Sequence, residues 1–337
     1  MDTSDVAVVT GANSGIGRAT ALYLAQHGYT VYGTVRSIDR ATKLLAEAET
    51  RGVTVELATL DIADDESVAA GFDEILDRAG RIDHLVNNAG VGGNGAVEET
   101  TPQRFLEVMD IDLCGATRCI RAVLPQMRER GAGTIVNVTS VAGRIAAIGQ
   151  APYVAAKWAL EGISEQLAIE VASQGIRVAI VEPGVTRSSI FGKNVDTPDH
   201  TGVYGGVYER MLQMYAAGAV HATDAVEVGA VIRHAIETDE PKLRHQVSWG
   251  GPEIVAGRAA MTDEDWVELG RVESLDDYIE AFTAAKLMGV ETRFLYYPEE
   301  GHWVLSPQNG VLWHRVFFDW LGRYLEEPAA SGSPGQR

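Results

Sequence analysis

Residues 5–18 read DVAVVTGANSGIGR, and this stretch decides the fold. Its valine-rich start predicts a strand, Val6–Thr10, which leads directly into three glycines, Gly11, Gly15 and Gly17. The residues that follow, ALYLAQHG, have the periodicity of a helix. Glycines let the backbone approach a pyrophosphate, and the free amides of the next helix bind its charge. The stretch therefore predicts a nucleotide-binding turn, although a tight turn against a packed helix would use the same glycines.

Strand and helix patterns continue to alternate until about residue 250. We expect further strands at Thr30–Thr34, Thr54–Thr59, His84–Asn87, Gly133–Val138, Arg177–Glu182 and His245–Trp249. Runs such as TIVNV and RVAIV are almost wholly apolar, as in parallel strands that are buried on both faces. The pattern predicts an α/β fold of the Rossmann type, a doubly wound sheet of about seven parallel strands with helices between them.

Composition argues against several classes of protein. The 337 residues are 46% hydrophobic and 22% charged, which is typical of a globular chain. The formal charge of −19 argues against a broad affinity for nucleic acid or anionic lipid. No apolar run approaches the roughly 18 residues of a membrane span, and no signal peptide is evident, so we expect a cytoplasmic protein. The cysteines, Cys114 and Cys119, lack the spacing of a zinc site, and no metal is expected.

The end of the second strand bears on cofactor choice. A carboxylate there would bind the ribose 2′-hydroxyl of NAD(H), whereas a cation would bind the 2′-phosphate of NADP(H). The carboxylate position holds Val35, and Arg36 comes next. Arg36 could pair with the phosphate or stack on the adenine, so NADP(H) is predicted and NAD(H) is possible. An arginine that is simply exposed at a strand end would give the same sequence.

Residues 140–157 carry the candidate chemistry. Ser140 follows the fifth strand, and Tyr153 and Lys157 share one face at the start of a predicted helix. The pKa of a tyrosine hydroxyl is ordinarily about 10. A nearby ammonium and a helix N-terminus would both pull it down, as acid–base catalysis near neutral pH requires. Ser140 could then hold the oxygen of a carbonyl substrate.

These motifs together resemble those of the classical short-chain dehydrogenase/reductases over residues 5 to about 280. The matching stretches are TGANSGIG at 10–17, LDI at 60–62, NNAG at 87–90, Ser140, YVAAK at 153–157 and VEPG at 181–184. The resemblance implies hydride transfer between a nicotinamide and a carbonyl or secondary alcohol. Tyr153 would be the general acid/base, Lys157 would bind the nicotinamide ribose and Ser140 would orient the substrate. It also implies a homodimer or homotetramer.

The candidate cofactor-binding residues are Gly11, Asn13, Ser14, Gly15, Ile16, Gly17, Arg36, Asp61, Ile62, Asn88, Ala89, Gly90, Tyr153, Lys157, Pro183, Gly184, Val185 and Ser188.

One position departs from the family's pattern. The family places an asparagine in a D-V-N-L-x-G stretch of the fourth helix, where it holds a water linked to the active-site lysine. This chain has Asp112 in that position. An ionised carboxylate only accepts hydrogen bonds, and it could pair with Lys157 and weaken the pull on Tyr153. We therefore hypothesise reduced turnover and an alkaline-shifted pH optimum. The alternative is an NADP(H)-binding regulatory or scaffold protein with weakened catalysis.

A lid is expected at about residues 189–222. Its apolar and aromatic residues are Phe191, Tyr204, Tyr208, Met211, Met214 and Tyr215. An apolar pocket under such a lid would favour an apolar or aromatic ketone, aldehyde or secondary alcohol, as in the steroid- and retinol-type members of the family. A lid must bury apolar residues whatever its substrate, so this inference about substrate stays open.

The C-terminal part resembles a different family. Residues 280–325 are similar to the C-terminal end of prolyl-oligopeptidase-family serine peptidases, with His302 at the position of the catalytic histidine. No G-x-S-x-G elbow occurs in the chain, which argues against a serine hydrolase. We therefore expect an NADP-binding domain at 1–279, an appended hydrolase-like fragment at 280–327 and a disordered tail at 328–337.

Overall fold

A computed structural model describes residues 4–188 and 197–271. The chain divides into two compact units after Ala284, and the described residues all belong to the first. Phe191, the appended fragment with His302 and the tail lie outside the described residues. The boundary at residue 279 and the resemblance to a peptidase fragment therefore stay predictions.

Seven parallel strands form one sheet in the order β3-β2-β1-β4-β5-β6-β7. The strands are β1 Val6–Val9, β2 Thr30–Val35, β3 Glu56–Thr59, β4 His84–Asn87, β5 Gly133–Val138, β6 Ile176–Pro183 and β7 Arg244–Val247. Each predicted strand overlaps an observed one, and the predicted Rossmann-type α/β fold is confirmed. All four residues of β1 are buried, as expected of a central parallel strand.

Helices connect the strands and cover both faces of the sheet. Their bounds are α1 Gly15–Gln26, α2 Thr42–Arg51, α3 Asp65–Ala79, α4 Pro102–Met109, α5 Gly115–Arg130, α6 Ala151–Val171, α7 Gly205–His221, α8 Ala225–Glu237, α9 Gly251–Ala260 and α10 Asp263–Glu268. On one face, Leu22 of α1 and Ile232 of α8 belong to the same apolar cluster. On the other, Phe72, Val123 and Leu167 join α3, α5 and α6. No described helix has the length and apolar character needed to cross a membrane.

A π-helical turn, Asp110–Cys114, connects α4 to α5. The guanidinium of Arg118 holds this turn, because it donates to the Asp110 carboxylate at 2.7 Å and to the Ile62 carbonyl at 3.1 Å. Within the turn Asp112 is buried and Cys114 is exposed. Such turns are frequent at functional sites, since they change which side chains a helix directs inward.

The sheet order reverses at β1, which pairs with β2 on one side and β4 on the other. In open parallel sheets, ligands bind outside the carboxyl ends of the strands at this reversal. The candidate site residues follow the ends of β1 to β6, so the topology brings them to one edge of the sheet.

Candidate active site

The glycine turn after β1 forms a close backbone approach. Gly11 and Gly15 have φ of 68° and 55°, in the left-handed region that favours glycine. A Cβ on Gly11 would lie 2.9 Å from Cα of Ala89, and one on Gly15 would lie 3.1 Å from Cβ of Ser188. The turn therefore brings together the segments after β1, β4 and β6. Asn13, Ser14, Ile16 and Gly17 lie in the same turn and at the start of α1.

Thr10 joins this turn to the segment after β4. Its hydroxyl oxygen accepts hydrogen bonds from the backbone N–H groups of Asn88 and Ala89, both at 3.0 Å. The Asn88 side chain donates to the Thr10 carbonyl at 2.9 Å. The sequence predicted Asn88, Ala89 and Gly90 as site residues but not Thr10. The position of Thr10 between the first strand and Gly11 was the one feature of the sequence that could have indicated this role.

The residues predicted for the adenosine end lie at the ends of β2 and β3. Arg36 is exposed and makes no hydrogen bond or ion pair within residues 4–188 and 197–271. Asp61 is half-buried, and its Oδ1 accepts the Ala63 N–H at 3.1 Å. Ile62 is buried against Gly115 at the start of α5. Arg36, Asp61 and Ile62 therefore lie at the carboxyl-terminal edge of the sheet, where open parallel sheets bind ligands.

The segment after β6 runs alongside the end of β7. The N–H of Gly184 donates to the Val247 carbonyl at 2.8 Å, and the N–H of Val185 donates to the Trp249 carbonyl at 3.0 Å. The hydroxyls of Thr186 and Ser248 are 2.7 Å apart. These contacts hold Pro183–Ser188 in an extended path that leads to Gly15.

Lys157 lies one turn after Tyr153 in α6, and its side chain is buried. Its Nζ is 5.5 Å from the centre of the Tyr153 ring and 3.1 Å from Oδ2 of Asp112. The Nζ also donates to the Val138 carbonyl at the end of β5, at 3.5 Å. The structure therefore places the Lys157 ammonium close to both the Tyr153 ring and the Asp112 carboxylate.

The Asp112 carboxylate has two distinct environments. Oδ1 accepts the Val91 N–H at 2.7 Å. Oδ2 faces the Lys157 ammonium but receives no well-aligned hydrogen bond within the part of the chain that the structure describes. Burial by itself would lower the Lys157 pKa, but the charge of Asp112 and the interaction with Tyr153 raise it above its ordinary value. Lys157 is therefore an ammonium throughout the neutral pH range.

Ser140 begins the short turn that follows β5. Its Oγ accepts the Ala142 N–H at 3.1 Å, and the side chain is half-buried. The preceding residue, Thr139, donates to the buried Glu161 carboxylate at 2.6 Å, and Glu161 also pairs with Arg244 at 3.0 Å. The sequence did not predict this support beneath Ser140, although Glu161 lies one turn after Lys157 on α6. Burial raises the pKa of Glu161.

Residues 197–222, the described part of the predicted lid, include α7. Tyr208 and Met211 are buried in a small cluster with Ala96, and Tyr204 and Tyr215 pack against it. A cavity of about 530 Å³ lies along α7, and its lining includes Gly205, Tyr208 and Leu212 but none of Ser140, Tyr153 and Lys157. This cavity is therefore not the substrate pocket that the sequence predicted. Among the residues that the structure describes, no group of His, Cys, Asp or Glu side chains is arranged to hold a metal ion.

Comparison with known proteins identifies the family. The model of the short chain dehydrogenase family matches residues 5–199. A 3-ketodihydrosphingosine reductase of Bacteroides thetaiotaomicron is 32% identical over 245 residues, which are 72% of this chain and 87% of that protein.

Two solved structures have the same fold. A short-chain dehydrogenase from Streptomyces avermitilis matches with a TM-score of 0.69 and 36% identity, over 82% of this chain and 98% of that one. A variant of actinorhodin polyketide ketoreductase with NADPH matches with a TM-score of 0.60 and 30% identity, over 70% and 91% of the two chains. The fold, the site and these relatives show that the chain belongs to the short-chain dehydrogenase/reductase family of oxidoreductases.

Proposed function

We propose that the protein is an NADP(H)-dependent oxidoreductase that interconverts a carbonyl and a secondary alcohol, with Tyr153 as the general acid/base. The observation that carries this proposal is the buried Lys157 ammonium, which lies 5.5 Å from the Tyr153 ring on the same helix. The bound nicotinamide would supply or accept the hydride. Gly11, Gly15 and Ser188 would hold the dinucleotide, since they come together at the carboxyl ends of β1 and β6, where open parallel sheets bind ligands.

The protein's own residues account for the proton. In reduction, the Tyr153 hydroxyl gives its proton to the carbonyl oxygen, and in oxidation it takes the proton of the alcohol. The Lys157 ammonium stabilises the tyrosinate that reduction leaves behind. Because Ser140 Oγ accepts the Ala142 N–H, its own proton is available to donate to the carbonyl oxygen.

Two observations support the proposed preference for NADP(H). Arg36 is exposed beside the end of β2 and has no partner within the described ranges, so its guanidinium is available to a phosphate. The actinorhodin polyketide ketoreductase, which is 30% identical, was solved with NADPH.

We propose an apolar or aromatic carbonyl substrate. The name of the Bacteroides relative, 3-ketodihydrosphingosine reductase, supports this part of the proposal. A cytoplasmic location and a homodimer or homotetramer complete the proposal as expectations from the sequence.

A second candidate function follows from one contact. The Asp112 carboxylate lies 3.1 Å from the Lys157 ammonium and offsets its charge, which would reduce its effect on Tyr153. An NADP(H)-binding regulatory protein with weak catalysis would have this arrangement.

The test measures oxidation of NADPH and NADH with a panel of apolar ketones and aldehydes. Tyr153→Phe removes the proposed acid and should abolish turnover while NADPH still binds. Tyr29→Phe is the matched control, because the Tyr29 hydroxyl donates to the Glu237 carboxylate and Tyr29 precedes β2, at the opposite edge of the sheet from the candidate site. Full turnover in Tyr153→Phe would contradict the proposed mechanism. NADPH binding without turnover of any substrate would favour the regulatory alternative.

A further inference from the structure

The lid is joined to the segment after β4 by one buried hydroxyl. The Tyr208 side chain lies in α7 and is only 3% exposed. Its hydroxyl donates to the Pro198 carbonyl at 2.6 Å and accepts the Ala96 N–H at 2.8 Å. A single hydroxyl therefore satisfies two backbone groups, one in the lid and one in the segment after β4.

The same segment also holds the residues that precede Tyr153. The Gly95 N–H donates to the Gly149 carbonyl at 2.8 Å, and the Ala151 N–H donates to the Gly95 carbonyl at 2.9 Å. Ala151 is the first residue of α6. A Cβ on Gly93 would lie 3.1 Å from the backbone nitrogen of Tyr153. Residues 93–96 thus contact the start of the helix that carries the proposed catalytic tyrosine.

Side-chain packing follows the same path. Met211 of α7 packs near Gly149, since a Cβ on this glycine would lie 3.0 Å from the Met211 sulfur. Met211 and Tyr208 share their apolar cluster with Ala96 and Ile148. Helix α7 therefore contacts both of the segments that pair through the isolated β-bridge between Gly95 and Gln150.

A second contact holds the lid upstream of α7. The buried Glu99 carboxylate accepts the N–H groups of His200 and Thr201 at 2.8 and 2.9 Å, and the Thr201 hydroxyl at 2.6 Å. This contact joins the lid to the segment after β4 but has no direct link to residues 149–151 within the described ranges. The Glu99 contact therefore serves as a comparison for the two hydrogen bonds of the Tyr208 hydroxyl.

We infer that Tyr208 is a positioning residue that couples the placement of the lid helix α7 to the start of α6. The inference rests on the proposed function, in which Tyr153 in the first turns of α6 carries out the acid–base step. Loss of the hydroxyl leaves the buried Ala96 N–H without an acceptor, and a buried unsatisfied donor favours local opening. The segment 93–96 then loosens on both sides, towards the lid and towards Tyr153.

Hydrogen exchange of the full chain tests the coupling without any need for turnover. In Tyr208→Phe, amides in residues 93–101 and 149–153 should exchange about tenfold faster, as should those in 197–215. Tyr29→Phe, the same chemical change at the opposite edge of the sheet, should leave all three regions unchanged. Faster exchange confined to 197–215 would overturn the inference, whether or not the protein proves to be a reductase.

Glu99→Gln keeps the inference testable if Tyr208→Phe does not fold. This variant weakens the second contact and leaves the Tyr208 hydroxyl in place, so only residues 197–204 should exchange faster. Spread of the effect to 149–153 would show that the coupling does not run through Tyr208.

Kinetics separate a positioning role from a merely structural one. In Tyr208→Phe the loosened segment reaches both the lid and Tyr153, so the KM for the carbonyl substrate should rise and kcat should fall, with kcat/KM lower by about tenfold. The Kd for NADPH should change much less, because the glycine turn after β1 and Arg36 lie outside the loosened segments. A kcat that falls only in proportion to the folded fraction, with an unchanged KM, would contradict the inference.

Discussion

The Lys157 ammonium lies 3.1 Å from the Asp112 carboxylate, and both side chains are almost entirely buried. Because both groups are buried, water cannot take the place of either partner, and their charges remain coupled over the neutral pH range. The π-helical turn places Asp112 in this position, since it buries Asp112 and leaves Cys114 exposed two residues later. The charge beside the proposed catalytic tyrosine is therefore that of an ion pair and not that of a lone lysine.

Asp112→Asn should raise turnover and move the pH–rate profile towards acid. The variant removes the anion that offsets Lys157, so the ammonium acts more strongly on the Tyr153 hydroxyl. Alcohol oxidation needs the deprotonated tyrosine, so the variant should keep more of its oxidation rate on the acid side of the profile than the wild type does. Steady-state rates over a range of pH measure this shift. Asp112→Glu, which keeps the charge, is the control, and an unchanged profile in Asp112→Asn would contradict the hypothesis.

Lys157→Met should destabilise the fold, because it leaves the Asp112 carboxylate buried without a cation. The expected loss is about 3–5 kcal/mol in the free energy of unfolding, measured with urea at neutral pH. Adding Asp112→Asn to this variant should restore most of the loss, since the uncompensated charge is then gone.

The same pair has a definite pH dependence. The Lys157 pKa is raised in the folded protein, so its stabilising contribution is fully present below the unfolded value of about 10.4 and is lost as the pH rises through the folded value. If the free energy of unfolding of the wild type already decreased as the pH rose through neutrality, and that of the double variant did not, the raised pKa assigned to Lys157 would be contradicted.

Arg36→Asp should change the cofactor preference from NADPH towards NADH. A carboxylate at position 36 would repel the 2′-phosphate of NADPH and would affect NADH much less, because NADH lacks that phosphate. A charge-assisted hydrogen bond contributes about 1.5–3 kcal/mol, so the Kd for NADPH should rise at least about tenfold. Titration of both cofactors measures the change. Arg40→Asp, also exposed and four residues later, is the control. Equal Kd values for NADPH in wild type and Arg36→Asp would exclude a role for Arg36.

His84→Leu should reduce the loss of stability in acid. His84 is buried at the start of β4, and burial lowers its pKa although Asp5 at 3.4 Å opposes the shift. Because the folded value lies below the unfolded value of about 6.5, its contribution is present above that pH and is lost as the pH falls. Urea unfolding in mildly acidic and neutral buffers measures the difference. His27→Leu, at an exposed position, should retain the full acid dependence.

The sheet was predictable from the sequence because buried parallel strands are apolar on both faces. The exact ends of the strands were not. The seventh strand was expected to reach Trp249 but ends at Val247, because Ser248 has a φ of 73° and turns the chain away. A serine in the left-handed region leaves no clear mark in the sequence, since its neighbours set that conformation.

The chemistry of the site was predictable only where it depends on local spacing. Tyr153 and Lys157 share a helix, so their proximity follows from helical periodicity. The π-helical turn at 110–114 depends on hydrogen bonds from Arg118, which reach as far as Ile62, and no periodicity encodes them. The contact of Glu99 with Thr201 joins distant parts of the chain, and it exists only once the lid is placed.

The approach of Ser188 to Gly15 has a consequence for folding. The two residues flank the proposed cofactor site, yet Ser188 follows the sixth strand of the sheet and Gly15 follows the first. In that proposal a nascent chain has no complete binding site until β6 has joined β5 and placed Ser188. A ligand that binds only the complete site stabilises the folded chain by a free energy that grows with the logarithm of its free concentration. Nucleotide supply would then act on how long the newly made protein survives, as well as on how fast it works.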